Sequence, residues 1–174
     1  MKNPLKNLFG KKEKISEQWP SEEKVDREVI GQWNILTFYS MEKDPKRSET
    51  VFKMIAEESE DCTVILMDYN QREQIQGSEN VGFIYDAEYE YLCRSHIKQV
   101  ITVGKRCYDY KMRCLLAGVQ KERINTAFQT NDAAELVKLS DVKNICFVMS
   151  PSTRFEVEQI RTKLTVRMKK GEDE

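Results

Sequence analysis

Three short, unbroken apolar runs constrain this chain more than any other feature. They are Cys62–Met67, residues 100–103 and Ile145-Cys146-Phe147-Val148-Met149. Each is strand-sized, rich in β-branched residues and closed by a polar or turn-forming residue, Asp68, Gly104 or Ser150-Pro151 respectively. A strand with one wet face alternates apolar and polar residues. A strand covered on both faces reads as a continuous run, as in a parallel sheet sandwiched by helices. Two weaker strands, at Ile35-Leu36-Thr37-Phe38-Tyr39 and residues 124–128, complete the series.

Helical patterns fill the gaps. Asp44-Pro45 opens one, because proline is tolerated in a first turn, and Val51, Met54 and Ile55 fall on one face. A second is expected over residues 106–117, with Met112, Leu115 and Leu116 as its buried stripe. Ala117-Gly118-Val119 then supplies a Schellman stop. A third runs from a cap at Thr130, Asn131 or Asp132 to about Leu139. The last begins at a Thr153/Glu156 capping box and buries Val157, Ile160 and Leu164. Strands alternating with helices predict an α/β, Rossmann-like, doubly wound and mostly parallel sheet flanked by helices. Ligands of such folds gather at the carboxyl ends of the strands. The loops there are residues 68–82, 104–106, 129–132 and 150–152.

The chain has 174 residues, enough for one domain. Residues 1–33 read as a flexible, charged arm and residues 34–170 as the α/β domain. The arm's lysines and interspersed Leu5, Leu8, Phe9 and Ile15 leave membrane contact open. Elsewhere no run has the length of a membrane span, and no signal peptide is recognised. A net charge of -1 argues against nucleic acid as a partner. Five cysteines without a CxxC pattern point to free thiols in a reducing cytoplasm.

Chemistry-bearing motifs are sparse. Gly104-Lys105-Arg106 follows a strand and opens a helix, so its amides could cradle an anion or nucleotide. The simpler reading is a structural glycine turn followed by two solvated basic residues, Lys105 and Arg106, since no phosphate-loop motif is present. His96 is the single histidine, so no histidine-based metal site is expected, and it reads as a surface residue. The cysteines read as core fillers. Asp86, Glu88 and Glu90 alternate with Tyr85, Tyr89 and Tyr91. That is either a solvated edge or helix start, or an acidic group offered to a partner's catalytic site. The basic final helix (Arg154, Arg161, Lys163, Arg167, Lys169, Lys170) reads as a solvated face. No nucleophile, base and orienter can be assembled into an independent active site.

Several of these segments, in order, resemble one family. Residues 101–119, with Gly104, Arg106, Tyr108, Asp109, Arg113, Ala117, Gly118 and Val119, resemble its strand–Ser-Gly-x-Arg–helix–Tyr-Ala-Gly-Val segment. Lys43-Asp44-Pro45 resembles its Lys-Asn-Pro helix start, Phe83-Ile84-Tyr85-Asp86 its Trp-Leu-Trp-Asp, and residues 148–153 its closing Leu-Pro-x-Tyr-Thr. The family is that of the C-terminal domain of MurT, the Mur-ligase-like subunit of lipid II isoglutaminyl synthase. The resemblance spans about residues 32–164.

What the resemblance implies is specific. MurT amidates the α-carboxyl of D-glutamate in a peptidoglycan precursor with ATP, taking ammonia from a glutaminase, GatD. An acid of the C-terminal domain supports the glutaminase's Cys–His pair. Here that acid falls on Asn80, and a second is kept as Asp86. Asn can orient an imidazole but gives up charge stabilisation. The resemblance does not extend to the family's ATP-binding central domain or zinc-ribbon segment. The expectation is therefore an accessory module that ligates nothing and binds no cofactor by itself. ATP would act only in a larger complex with a GatD-like glutaminase, a Mur-ligase-like protein, or both. The alternative is a stand-alone nucleotide- or anion-binding regulatory module built on Gly104, Lys105 and Arg106.

Overall fold

The computed structural model describes residues 24–70 and 80–171. A six-stranded sheet runs in the order β1-β2-β6-β3-β4-β5, where β1 is Val25–Ile30, β2 Trp33–Tyr39, β3 Cys62–Met67, β4 Ile97–Val103, β5 Ile124–Ala127 and β6 Asn144–Met149. Only β1 is antiparallel to its neighbour; the other four pairings are parallel. The expected mostly parallel α/β architecture is present. The strand Val25–Ile30 lies within the segment assigned to the flexible arm: a tight turn at Gly31, with φ of 56°, folds it back on β2. Residues 1–23 of that arm lie outside the described residues.

Among the described residues five helices cover the sheet: α1 (Pro45–Ala56), α2 (Gly82–Asp86), α3 (Cys107–Leu116), α4 (Ala133–Leu136) and α5 (Arg154–Gly171). The chain steps β2, β3, β4, β5 in one direction across the sheet, then returns to insert β6 between β2 and β3. Right-handed crossovers then place α1, α2 and α3 on one face and α4 on the other, where α5, which follows the last strand, packs beside α4. The pleat divides the core accordingly. Leu36, Phe38, Cys62, Val64, Leu66, Cys146 and Val148 face the first helical layer, with Val51, Phe52, Ile55 and Tyr110. Ile35, Ile65, Met67, Ile145, Phe147 and Met149 face the second, with Val157, Ile160, Leu164 and Met168. Strands β3 and β6 are buried at every position, as their unbroken apolar runs require.

Helix signals read locally hold with two shifts of register. Asp44 caps α1, its carboxylate accepting from the Arg47 amide at 3.1 Å, with Pro45 as the first helical residue. Gly118, at φ of 94°, closes α3: the Val119 amide donates to Cys114 and the Gly118 amide to Leu115. The capping box before α5 joins Ser150 to Thr153 rather than Thr153 to Glu156, because a 3₁₀ turn at Pro151–Thr153 precedes the helix. The inner stripe of α3 is also displaced. Cys107, Tyr110 and Cys114 are buried, whereas Met112 is 50% and Leu116 68% exposed.

Candidate functional site

The reversal of direction at β6 opens a crevice at the carboxyl ends of β2, β6 and β3. Its floor is polar. Asp68, the first residue after β3, is 5% exposed and accepts hydrogen bonds from the hydroxyls of Tyr110, Ser48 (2.8 Å) and Ser40 (3.4 Å). Burial pushes its carboxyl above the usual carboxylate range, although these three donors favour the charged form. Burial, reinforced by the charge of Asp68, raises the Tyr110 hydroxyl well above the ordinary tyrosine range. The hydroxyls are supplied by the end of β2, by α1 and by α3, so Asp68 ties three elements together beneath the rim.

Lys43, Pro45, Asn80, Gly82, Phe83 and Asp86 line an open cavity of about 440 Å³. It unites the Lys43-Asp44-Pro45 segment with both candidate acids' positions, which the chain separates by some forty residues. Lys43 is the one described non-glycine residue with positive φ, at 58°. A lysine held there is mildly strained, and such strain collects at functional turns. Its ammonium lies 5.8 Å from the Tyr69 ring centroid, and Tyr69 meets Phe83 edge-on at 5.1 Å. Asn80 is exposed, and its side-chain oxygen accepts from the Gly82 amide at 3.0 Å, fixing the turn into α2. Asp86 ends α2 and is exposed. Asn80 and Asp86 thus line one cavity together with the cationic Lys43. The stretch 71–79 of the polar loop lies outside the described residues.

The Gly104–Arg106 turn sits elsewhere on the rim, at the end of β4. Gly104, at φ of 86°, needs the left-handed conformation. Its amide donates to Ala127 at 2.8 Å, the Lys105 amide to the Asn70 side chain at 2.7 Å, and the Cys107 amide to Gly104 at 3.1 Å. Asn70 lies over the turn: a Cβ on Gly104 would fall 2.1 Å from its oxygen. These donors are engaged within the protein, and an incoming anion would have to displace Asn70. Arg106, expected to be solvated, is instead buried at 8% exposure and ion-paired with Asp109 at 3.5 Å, whereas Lys105 is exposed.

The alternating Tyr/acid stretch forms α2 and a 3₁₀ turn at Tyr89–Cys93, a helix start with a wet face rather than a strand. Tyr89 is buried against Phe52, with the Arg113 guanidinium 5.1 Å from its ring centroid. All five cysteines are free; four are buried, and burial pushes the Cys114 thiol up to about 12. His96 is partly buried beside the Ile55 carbonyl, 3.3 Å away, remote from the crevice. Among the described residues no group of histidine, cysteine and acidic side chains could hold a metal ion, and no helix is long and apolar enough to cross a membrane. The sequence reading missed Lys43 and Asp68 as parts of the site. Their signals were a polar residue directly ending an apolar run, and a lysine before an Asp-Pro helix start.

No curated protein matches the chain. The family model described as MurT ligase C-terminal matches residues 41–153. That interval runs from the loop before α1 to the cap of α5, and takes in the whole cavity, the Asp68 floor and the Gly104 turn. With well over half of its length matched, the chain belongs to the MurT ligase C-terminal family.

Proposed function

We propose that this chain is an accessory module in amidation of a peptidoglycan precursor, a MurT-related role, and that its Asn80/Asp86 rim meets the catalytic histidine of a GatD-like glutaminase. The observation that carries the reading is the convergence of Lys43, Asn80 and Asp86 on one open cavity. An exposed carboxylate at the end of a short helix can accept from a partner's imidazole N–H and stabilise its protonated form. Asn80 can orient the ring without adding charge. ATP chemistry belongs to a Mur-ligase-like partner or part, and the module itself binds no nucleotide. It acts in the cytoplasm, where the precursor is assembled.

The reading is tested by mixing the chain with a purified GatD-like glutaminase and measuring glutamate release from glutamine. Stimulation by the chain is expected. Asp86→Asn should lower it. Asn80→Asp, which restores a charge where the family has an acid, should raise it by an order of magnitude or more, as a charged orienter does in Ser-His-Asp sites. Identical rates with and without the chain would reject the role. The Gly104–Arg106 reading has its own test: thermal-shift screening with nucleotides, where a ligand at 100 times its Kd adds about 2.7 kcal/mol. The engaged amides predict no shift.

A further inference from the structure

We propose that residues 1–19 seat the protein on an anionic membrane surface, and that the corner of the folded body where the chain enters β1 makes a second contact with it. The inference stands apart from the glutaminase reading. Residues 1–19 carry five lysines against two glutamates, in a chain whose net charge is -1. Positive charge is therefore concentrated in this segment, as it is in segments that bind acidic surfaces. At about 3.6 residues per turn, Leu5, Leu8, Phe9, Ile15 and Trp19 fall within one arc of about 120°. Lys6 and Lys11 border that arc on either side, and Lys14 lies opposite. Lys12 and Ser16 fall inside it, and a lysine stem at such a position carries its ammonium outward to the headgroups. Asn3-Pro4 has the pattern of a helix cap and first residue, and Pro20 that of a stop. Leucine and aromatic residues along one face, with lysines on the other, are the pattern of a helix that lies in a membrane interface.

The fold fixes where this segment joins the body. Val25 pairs with Phe38, so the chain enters β1 beside the carboxyl end of β2, with the Lys24 ammonium 5.7 Å from the Tyr39 ring centroid. There β2 and β6 lie side by side, Tyr39 opposite Met149, and the segments that follow them are joined: the Glu42 carboxylate accepts from the Ser152 amide at 2.5 Å. This corner therefore brings together Lys24, Met41, Lys46, Arg154 and Phe155, all exposed, Phe155 at 72%. Carboxylates of the same corner are engaged within the protein: Asp26 by Lys24 and the Tyr39 hydroxyl, Glu42 by the Ser152 amide, Asp44 by the Arg47 amide. Cations beside exposed apolar side chains thus continue the chemistry of residues 1–19 onto the folded body. A nucleic acid would match the charge but not the apolar arc. A groove on another protein would take the arc but does not call for lysines on both of its borders, whereas a layer of lipid phosphates does. Tryptophan is also favoured at the headgroup level, where Trp19 would close the segment. Seated this way, the end of the sheet that carries the crevice is brought toward the bilayer.

The test uses the full chain and two sets of lipid vesicles, one of equal parts phosphatidylglycerol and phosphatidylcholine, the other of phosphatidylcholine alone. Binding is read by sedimentation and by tryptophan emission. Affinity for the anionic set should be higher by about tenfold or more and should fall as salt is raised. Trp33 is 4% exposed in the core, so a blue shift on binding reports Trp19, and Trp19→Phe should abolish the shift while the protein still sediments with the vesicles. Phe9→Glu should weaken binding by about tenfold with an unchanged melting temperature, because it places a charge in the apolar arc. Phe155→Glu should weaken it severalfold, and a chain beginning at residue 24 should lose most of it. No binding to the anionic set, or equal binding to both sets, would overturn the proposal. Salt-sensitive binding without a blue shift, undiminished by Phe9→Glu, would overturn it too, leaving an ionic tether for any polyanion. Full binding by the chain from residue 24 would move the contact to the folded body and overturn the role of residues 1–19. An unaffected Phe155→Glu would strike the second contact alone.

Discussion

Asp68 shows how one buried residue couples the core to pH. Its carboxyl is held above the usual carboxylate range by burial, the larger influence, against three donating hydroxyls. The folded chain therefore binds the Asp68 proton more tightly than the unfolded chain. That contribution to stability is complete below the unfolded value, about 4, and is lost as pH rises through the folded value. Asp68→Asn removes the linkage. The difference in urea midpoint, wild type minus variant, should fall as pH rises from about 4 to 7; a pH-independent difference would refute it. Two glycines offer a second comparison at this scale. Gly104 and Gly118 both have positive φ, but a Cβ on Gly104 meets Asn70 at 2.1 Å, whereas on Gly118 its nearest contact is the Cys93 sulfur at 3.9 Å. Gly118→Ala should cost about 1–2 kcal/mol of backbone strain, and Gly104→Ala more, because the Asn70 bond to the Lys105 amide must also shift. Denaturant titration of both variants ranks them directly.

The elements themselves were largely legible, and the exceptions have physical causes. Strands β3, β4 and β6 were visible because burial on both faces makes their runs predominantly apolar, the polar exceptions Thr63, Gln99 and Thr102 being buried and hydrogen-bonded. Helix α3 was visible as a helix but not in its phase. Counting only aliphatic residues favours Met112, Leu115 and Leu116, yet the buried stripe includes Tyr110, whose hydroxyl has a buried acceptor in Asp68. A tyrosine's fitness for the core depends on that distant partner, which no local pattern contains. Helix α4 is shorter than expected because Gln99 of β4 takes the Leu136 carbonyl at 2.8 Å, holding the chain as it leaves the helix. The cavity was the least legible feature, since Lys43 and Asp86, far apart in the chain, come to line one cavity only in the folded sheet. The misread phase has a measurable consequence. Tyr110→Ala should cost about 3–5 kcal/mol, as other large-to-small core changes do, while Leu116→Gln should stay within about 0.5 kcal/mol. Comparable losses from both would mean the helix is turned the other way.

At the scale of the whole molecule, β1 decides whether the sheet has a safe edge. Without it, β2 would be the edge strand, and β2 presents Trp33, Ile35, Leu36 and Phe38. An exposed edge of that composition is a template for pairing with other chains. β1 replaces it with a charged one bearing Asp26, Arg27 and Glu28. These residues also pin the strand to both layers: Arg27 to Glu58 at 2.5 Å, just past the end of α1, Glu28 to Arg161 of α5, and Asp26 to the hydroxyl of Tyr39. Two such strand edges do not pair readily with each other. A two-fold axis normal to the sheet keeps side chains on their own faces, and centring it on Arg27 sets Arg27 opposite its copy and Asp26 opposite Glu28; like charges directly opposed are destabilising. A chain beginning at residue 32 should therefore melt lower and form concentration-dependent oligomers by size-exclusion chromatography. A chain beginning at residue 24 should remain as the full chain is in both measurements. Reversing the charge at two positions, Arg27→Glu with Glu58→Arg, should preserve the full-length behaviour, because it exchanges the partners of a surface pair while keeping the edge charged. If the chain from residue 32 proved as stable and dispersed as the full one, β1 would be an appendage, and the protective edge would have to be sought in β2 itself.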